Sequence, residues 1–187
     1  MFIRPLIVTL ITLFTLSSVV LASEVADDKE AIKILKRSDV VSEFHKSAYG
    51  YAVFPTIGKG GIGIGGAHGT GGVYEGGAKV GDVSMTQLSI GFQLGGQAYR
   101  QVVYFQDKRA FDEFTSGSFE FGAQAEAIAI TSSAGAQAGT EGASASANEN
   151  QAEASYHKGM IVFTMGKGGL MFQAALGGQK YNYTPVN

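Results

Sequence analysis

The stretch "GKGGIGIGGAHGTGG" (Gly58–Gly72) decides the fold, and it directly follows the apolar run "YGYAVFPTI" (Tyr49–Ile57). Gly58, Gly60 and Gly63 match the G-x-G-x-x-G pattern of dinucleotide-binding loops. In those loops the glycines open a helix whose N-terminus meets the pyrophosphate, and an acidic residue follows about 20 positions later. Here more glycine follows and no helical pattern begins. The sequence therefore disfavours a nucleotide site.

An extended backbone accounts for the glycines better than a phosphate loop does. In a strand, Gly61, Gly63 and Gly65 lie on one face, with Ile62 and Ile64 on the other. A face without side chains lets another backbone or an aromatic ring approach closely. We therefore predict that these glycines shape a tightly packed, curved sheet.

Alternation of apolar and polar residues predicts further strands along the chain. They lie in "SIGFQLGGQAYRQVVYF", "SFEFGAQAEAIAIT" and "GMIVFTMGKGGLMFQAALGGQKYNY". The segment "DKRAFDEFT" predicts a short helix that is capped by Asp107 and turns Phe111 and Phe114 inward. From Thr131 to Ser155 the chain lacks large apolar residues, which is typical of a loop or a small-residue hairpin.

The segment "EVADDKEAIKILKRSDVVSEFHKSA" carries the strongest helical pattern of the chain, with Asp27 or Asp28 as its predicted cap. Its apolar positions recur at helical spacing, and Ser38-Asp39 favours a division into two helices. Those apolar positions are Ala31, Ile34, Leu35, Val41 and Phe44. The predicted fold class is α+β and predominantly antiparallel β. It comprises a glycine-rich curved or barrel-like sheet, N-terminal helices and one short internal helix.

Residues 1–22 have the pattern of a secretory signal peptide. Arg4 precedes an apolar run, and Val20 and Ala22 stand three and one positions before a predicted cleavage at Ser23. The apolar run is shorter than the roughly 20 residues that a spanning helix needs. We expect one domain over residues 23–187 in an exported protein, periplasmic or secreted.

Composition argues against several classes of function. The 14 Lys and Arg residues are outnumbered by 16 Asp and Glu residues, so a general nucleic-acid binder is disfavoured. The chain has no cysteine, and His45, His68 and His157 lack the paired spacing of a zinc site. It also lacks a G-x-S-x-G nucleophile elbow. We predict a protein that is not an enzyme and that has no metal site and no cofactor.

Three segments, in this order, resemble the lipid-binding SYLF domain family, also called the yeast-type actin-binding domain family. They are "SAYGYAVFPTIGKGGIGIGGAHGTGGVYEGG", "SIGFQLGGQAYRQVVYFQDKRAFDEF" and "FEFGAQAEAIAI". The resemblance covers the chain from about Asp28 to the C-terminus. It implies a β-rich domain that binds anionic phospholipids, including phosphoinositides, through basic residues and an amphipathic N-terminal segment. Bacterial relatives are typically exported single-domain proteins, so we do not expect the actin binding of eukaryotic members.

The expected lipid-binding residues are six cations, four on the N-terminal helix and two in Gly-Lys-Gly-Gly turns. They are Lys29, Lys33, Lys36, Arg37, Lys59 and Lys167. The leading hypothesis is an exported module that lies peripherally on an inner or outer membrane with an anionic surface. The acids of the same helix favour an alternative, an ordinary helix that covers the sheet. In that case the protein is a structural or interaction module of the envelope that binds itself or another envelope protein.

Overall fold

The computed structural model describes residues 24–62, 64–90, 97–121, 129–131, 154–167 and 178–186. Two helices come first: α1 (24–35) and α2 (Asp39–Ser47). The strands are β1 (Gly50–Ile62), β2 (Ile64–Glu75), β3 (Ala78–Ile90), β4 (Gln97–Phe105), β5 (Ser118–Glu120), β6 (Ala129–Thr131), β7 (Met160–Gly166) and β8 (Gln179–Pro185). Helix α3 (Lys108–Phe114) lies between β4 and β5.

The strands form one eight-stranded sheet in the order β5-β8-β3-β2-β1-β4-β7-β6. All neighbouring pairs are antiparallel except β6 and β7, which are parallel. The sheet curls into a half-barrel. The predicted α+β class with a predominantly antiparallel, curved sheet is therefore confirmed.

Each face of the sheet has its own apolar core. On one face, which we call the helix-covered face, α1 and α2 pack over side chains that include Val53, Val102 and Phe163. On the other, the inner face, α3 packs over side chains that include Phe54 and Phe105. Alternate residues of one strand thus serve two cores, as the period of two requires.

The N-terminal segment divides into two helices as predicted, with a turn at 36–37 and Ser38 at the N-cap position of α2. The predicted stripe is buried at Ala31, Leu35 and Val41, and Ile34 and Phe44 are half-buried. The predicted cap at Asp27 or Asp28 is wrong, because residue 24 is already helical. Asp28 instead points inward, for a reason given below.

Helix α3 agrees with its prediction. The Asp107 side chain accepts a hydrogen bond of 2.8 Å from the Ala110 amide, which caps the helix N-terminus. Phe111 and Phe114 are buried in the core of the inner face.

The glycine-rich stretch is part of a β-hairpin. Gly58 and Gly60 lie within β1, with Ala98 of β4 opposite Gly58, so no helix opens there. Gly63 lies outside the described residues. One smaller expectation is wrong: Lys59 lies within β1, although its Gly-Lys-Gly-Gly segment had been expected to form a turn.

Several predictions concern residues that the structure does not describe. They are the signal peptide at 1–22, residues 91–96, 122–128 and 168–177 of the predicted strand segments, and most of the small-residue stretch 131–155. Among the helices of the described ranges, none has the length and apolar character needed to cross a membrane.

Candidate lipid-binding surface and adjoining cavities

The four predicted cations of the N-terminal segment are all exposed. Successive helix residues are rotated by about 100°, so with Asp28 and Ala31 turned to the sheet, Lys29 and Lys33 share one outward flank. Lys36 and Arg37 follow in the turn after α1. None of these four side chains takes part in the ion pairs within the described ranges. We call these four residues the α1 cation group.

The acidic residues of α1 are directed elsewhere. Asp28 is buried beneath the helix, and Asp27 and Glu30 line a cavity on the other flank together with Lys167. Burial lowers the pKa of Lys167, and the negative charges of Asp27 and Glu30 only partly oppose this. Asp27 and Asp28 therefore lie on other sides of the helix from Lys29 and Lys33.

The α1 cation group reaches towards α2. Lys36 is close enough to His45 that its charge, after burial of the imidazole, contributes to a lowered pKa of that histidine. His45 also lies 3.3 Å from the Tyr104 hydroxyl and packs on Tyr51. His45 is thus part of the packing of α2 on the sheet.

The two remaining predicted cations lie apart from this group. Lys59 is two residues beyond Ile57 in β1, so strand alternation places it on the inner face. Lys167 follows β7 on the helix-covered face, and its ammonium donates a hydrogen bond to the Thr56 hydroxyl. The residues of the α1 cation group therefore lie near one another, whereas Lys59 lies on the inner face of the sheet and Lys167 lies beside α1.

A cavity of about 470 Å³, which we call the acidic cavity, lies beside α1 on the helix-covered face, over β2, β3 and β8. Its charged lining consists of Glu24, Asp27, Asp28, Asp82 and Lys79, and hydroxyl and amide side chains complete it. The hydroxyl and amide groups belong to Thr56, Thr70, Ser84, Asn182 and Thr184.

Asp28 forms the buried part of this lining, with only 3% of its surface exposed. The Tyr74 hydroxyl donates a hydrogen bond of 2.8 Å to its Oδ2, and the Tyr74 ring stacks on Tyr51 at 4.9 Å. A Cβ atom at Gly72 would lie 2.3 Å from the same Oδ2. The glycine therefore provides the space for a buried carboxylate.

Burial raises the pKa of Asp28 to about 6, and the Tyr74 hydrogen bond and the Lys79 charge only partly oppose this. Lys79, whose side chain is 10% exposed, forms ion pairs with Asp82 at 2.7 Å and with Glu24 at 3.8 Å. Lys79, the one cation among the described lining residues, is therefore already paired with two carboxylates, and the acids of this lining outnumber it.

A second cavity of about 300 Å³ lies on the other side of α1, over β4 and β7. We call it the mixed-charge cavity because the cations Arg100 and Lys167 line it together with the acids Asp27 and Glu30. Burial and the neighbouring Arg100 charge lower the pKa of Lys167. The positive charges of Arg100 and Lys167 thus lie close enough to repel each other.

Apart from Lys167, sequence reasoning did not identify the charged residues that line the two cavities as site residues. Arg100 and Asp82 alternate with apolar residues in β4 and β3, so their positions on the helix-covered face follow from the strand period. No sequence signal places Tyr74, Lys79 or Asp28 together, because their contact joins α1 to strands far along the chain. Within the described ranges, no three His, Cys, Asp or Glu side chains form a group able to hold a metal ion.

Comparison with models of protein families identifies the family to which the chain belongs. Residues 86–183, just over half of its 187 residues, match the family model described as "Ysc84: Las17-binding protein actin regulator". The chain belongs to the Ysc84 family. This is the SYLF domain family that the sequence resembles, so the expected membership is confirmed. The Ysc84 family consists of non-catalytic binding domains, and membership indicates a domain of the lipid-binding type.

A relative from Aeromonas veronii, "Beta cell expansion factor A", is similar to this Ysc84 domain. It is 30% identical over 88 residues, which cover 47% of this chain and 28% of the relative. The chain thus matches less than a third of the length of that protein. The likeness concerns the domain and not the whole relative.

Proposed function

We propose that this Ysc84 protein is an exported, non-enzymatic module that binds anionic phospholipids, including phosphoinositides, at the periphery of a membrane. The exposure of the α1 cation group, whose side chains take part in no ion pair within the described residues, carries the proposal. Four cations on one outward surface match an anionic head-group layer. A periplasmic or secreted location agrees with the pattern of residues 1–22.

The mode of binding is electrostatic rather than insertional. The apolar side of α1 and α2 is used by the sheet, since Leu35 and Val41 are fully buried. Cations near an anionic surface contribute about 1 kcal/mol each, and the attraction decays over a Debye length of about 8 Å at physiological salt. Binding should therefore weaken steeply as salt rises.

The test is vesicle co-sedimentation of the triple variant Lys33→Ser, Lys36→Ser, Arg37→Ser. Loss of three surface cations should lower the affinity for phosphatidylcholine vesicles that contain an anionic lipid by roughly two orders of magnitude. Pure phosphatidylcholine vesicles should bind poorly throughout. The fold should survive because the three side chains are exposed.

The matched control removes the same charge elsewhere, with Lys108, Lys158 and Lys180 changed to Ser. These cations are also exposed but lie outside α1 and α2, so this variant should bind nearly as the parent does. Equal losses in the two variants would contradict a localised surface. Parent protein that binds no vesicle would favour the alternative, an envelope module that binds itself or another protein.

Export has its own test. Mass spectrometry of the protein from its native envelope should show a mature chain that begins near Ser23. A mature pool that retains Met1 would contradict cleavage at that site.

A further inference from the structure

Helix α1 lies across the helix-covered face but takes no part in the pairing of the strands. The eight strands of the sheet are hydrogen-bonded to one another without it. The helix ends at residue 35, a turn follows at 36–37, and Ser38 has an extended backbone (φ −80°, ψ 126°) before α2 begins. Rotation about this connection moves α1 away from the sheet while every strand pair stays formed.

On both of its flanks, α1 places acidic side chains opposite cations of the sheet. On one flank, the Glu24 carboxylate lies 3.8 Å from the Lys79 ammonium. On the other flank, Asp27 and Glu30 line the mixed-charge cavity together with Arg100. Exposed charges of this kind contribute little to stability, but their complementarity favours one position of the helix on the sheet.

Between the two flanks, α1 buries a carboxyl group against the sheet. The Asp28 side chain is 3% exposed, and its Oδ2 accepts a hydrogen bond of 2.8 Å from the Tyr74 hydroxyl. A carboxylate that is removed from water loses its hydration, so burial favours the neutral, protonated acid. The place where α1 contacts the sheet most closely is therefore also the place where a charge is least tolerated.

The titratable groups that face Asp28 come from four elements. They are Tyr51 of β1, Tyr74 of β2, Lys79 and Asp82 of β3, and Glu24 of α1 itself. Burial has the largest effect and raises the pKa of Asp28 to about 6. The Tyr74 hydrogen bond and the Lys79 charge lower this pKa, whereas the two neighbouring carboxylates raise it. The surroundings as a whole thus favour the protonated acid.

We propose that α1 is a strap that acid closes: it lies on the sheet while Asp28 is protonated, and it is released from the sheet more often once the Asp28 carboxylate is ionised. Release returns water to the carboxylate without the loss of any strand pair. The turn at 36–37 and Ser38 form the hinge. The inference goes beyond the proposed function, because it concerns how α1 is held and not what the α1 cation group binds.

The size of the effect follows from the linkage between proton binding and release of the helix. The pKa of Asp28 is about 6 in the docked helix and 3.8 when the side chain is in water, a difference of about two pH units. Each pH unit is a factor of ten in the equilibrium. The ratio of released to docked α1 should therefore be lowest below about pH 4 and rise about 100-fold as the pH increases through 6 to about 8.

The test is hydrogen exchange of the full chain, followed by mass spectrometry of the peptides that contain α1 and β4. Parent protein and Asp28→Asn are compared at the same pH, so the intrinsic exchange rate cancels. Asparagine does not ionise, so the rate of α1 exchange in the parent relative to this variant should rise about 100-fold from about pH 4 to about pH 8. In both proteins, the buried strand β4 should exchange more slowly than α1.

Two further variants make the test specific for Asp28. The matched control, Asp27→Asn, removes the same charge from an exposed position of the same helix and should keep the pH dependence of the parent. Tyr74→Phe removes the hydrogen bond that favours the ionised carboxylate, so its α1 should be released more often than that of the parent at pH 8. If circular dichroism shows that Asp28→Asn does not fold, Tyr74→Phe takes its place.

The outcomes separate the strap from its alternatives. If α1 and β4 exchange at the same rate, the helix opens only when the whole fold does, and the inference is overturned. It is also overturned if Asp28→Asn keeps the pH dependence of the parent, since His45, which remains in that variant, is then the group that titrates. Binding to anionic vesicles is measured separately, so failure of the strap leaves the proposed function intact, and a parent that binds no vesicle leaves the strap intact.

Discussion

The β1–β2 hairpin has glycines both at its near end, where β1 begins and β2 ends, and at its far end, where β1 ends and β2 begins, but their surroundings are opposite. At the near end, a Cβ atom at Gly71 would lie 1.8 Å from the Val53 carbonyl oxygen, and one at Gly72 would meet Asp28. At the far end, a Cβ atom at Gly58 or Gly60 would meet nothing within 4 Å. Of these four positions, packing requires glycine only at Gly71 and Gly72. The same residue type thus marks a close approach in one place and an open surface in the other.

The difference follows from what covers each end. The near end has α1 on one face and the core of the inner face on the other, and Phe54 and Val53 beside it are fully buried. At the far end, Gly58, Gly60 and His68 are exposed, and Leu88 of β3 is 85% exposed. A glycine motif therefore cannot be interpreted without knowledge of its neighbours.

The largest expected effect comes from Gly71→Ala. The added methyl group collides with the β1 backbone rather than with a flexible side chain, so the free energy of unfolding should fall by about 3 kcal/mol. Denaturant-induced unfolding of the parent and of Gly71→Ala measures this difference in the free energy of unfolding. An unchanged unfolding midpoint would remove the distinction between the two ends of the hairpin.

Tyr74→Phe should have the next largest effect, because it removes the hydrogen bond to the buried Asp28 carboxylate. Leaving a buried acceptor without its partner costs about 1–3 kcal/mol. Tyr183→Phe is the matched control, since its hydroxyl donates to the Val80 carbonyl oxygen in a half-buried site. A larger loss in the control would mean that the Asp28 contact does not hold the near end.

The contribution of Asp28 should depend on pH. Its pKa is raised from 3.8 to about 6 in the folded protein, so the folded state retains a proton that the unfolded chain has released. The stability that this proton confers is present below about pH 4 and is lost as pH rises through about 6. Thermal unfolding of Asp28→Asn should lack this decline, and parallel profiles for the parent and the variant would contradict the assignment.

The smallest effect is expected at the far end, for Gly60→Ala. The methyl group meets open space, and loss of glycine reduces the conformational entropy of the unfolded chain, so stability should rise by roughly 0.5 kcal/mol. The same denaturant series used for Gly71→Ala checks it. Marked destabilisation would show that the far end is covered in solution.

Much of the fold could be predicted from the sequence because it depends on local periodicity. The alternation of apolar and polar residues predicted the strands. The 3.6-residue period of apolar residues, interrupted at Ser38, predicted two N-terminal helices. The cap at Asp27 or Asp28 was predicted wrongly because the capping preference of aspartate is local, whereas Asp28 is held by a contact with Tyr74 across 46 residues. Position in the chain alone could not distinguish a cap from a buried carboxylate.

The sequence by itself determined the class of the fold, the family and the presence of cations on α1, since each depends on residue type and short-range spacing. Only the tertiary structure decided how the charges are arranged. It turned Asp28 inward, set Asp27 and Glu30 beside Lys167, and left the α1 cation group exposed. The physical reason is that electrostatic interactions depend on the distance between charges in space and not on their separation along the sequence. Residues that neighbour each other on α1 face different surroundings once the helix lies on the sheet.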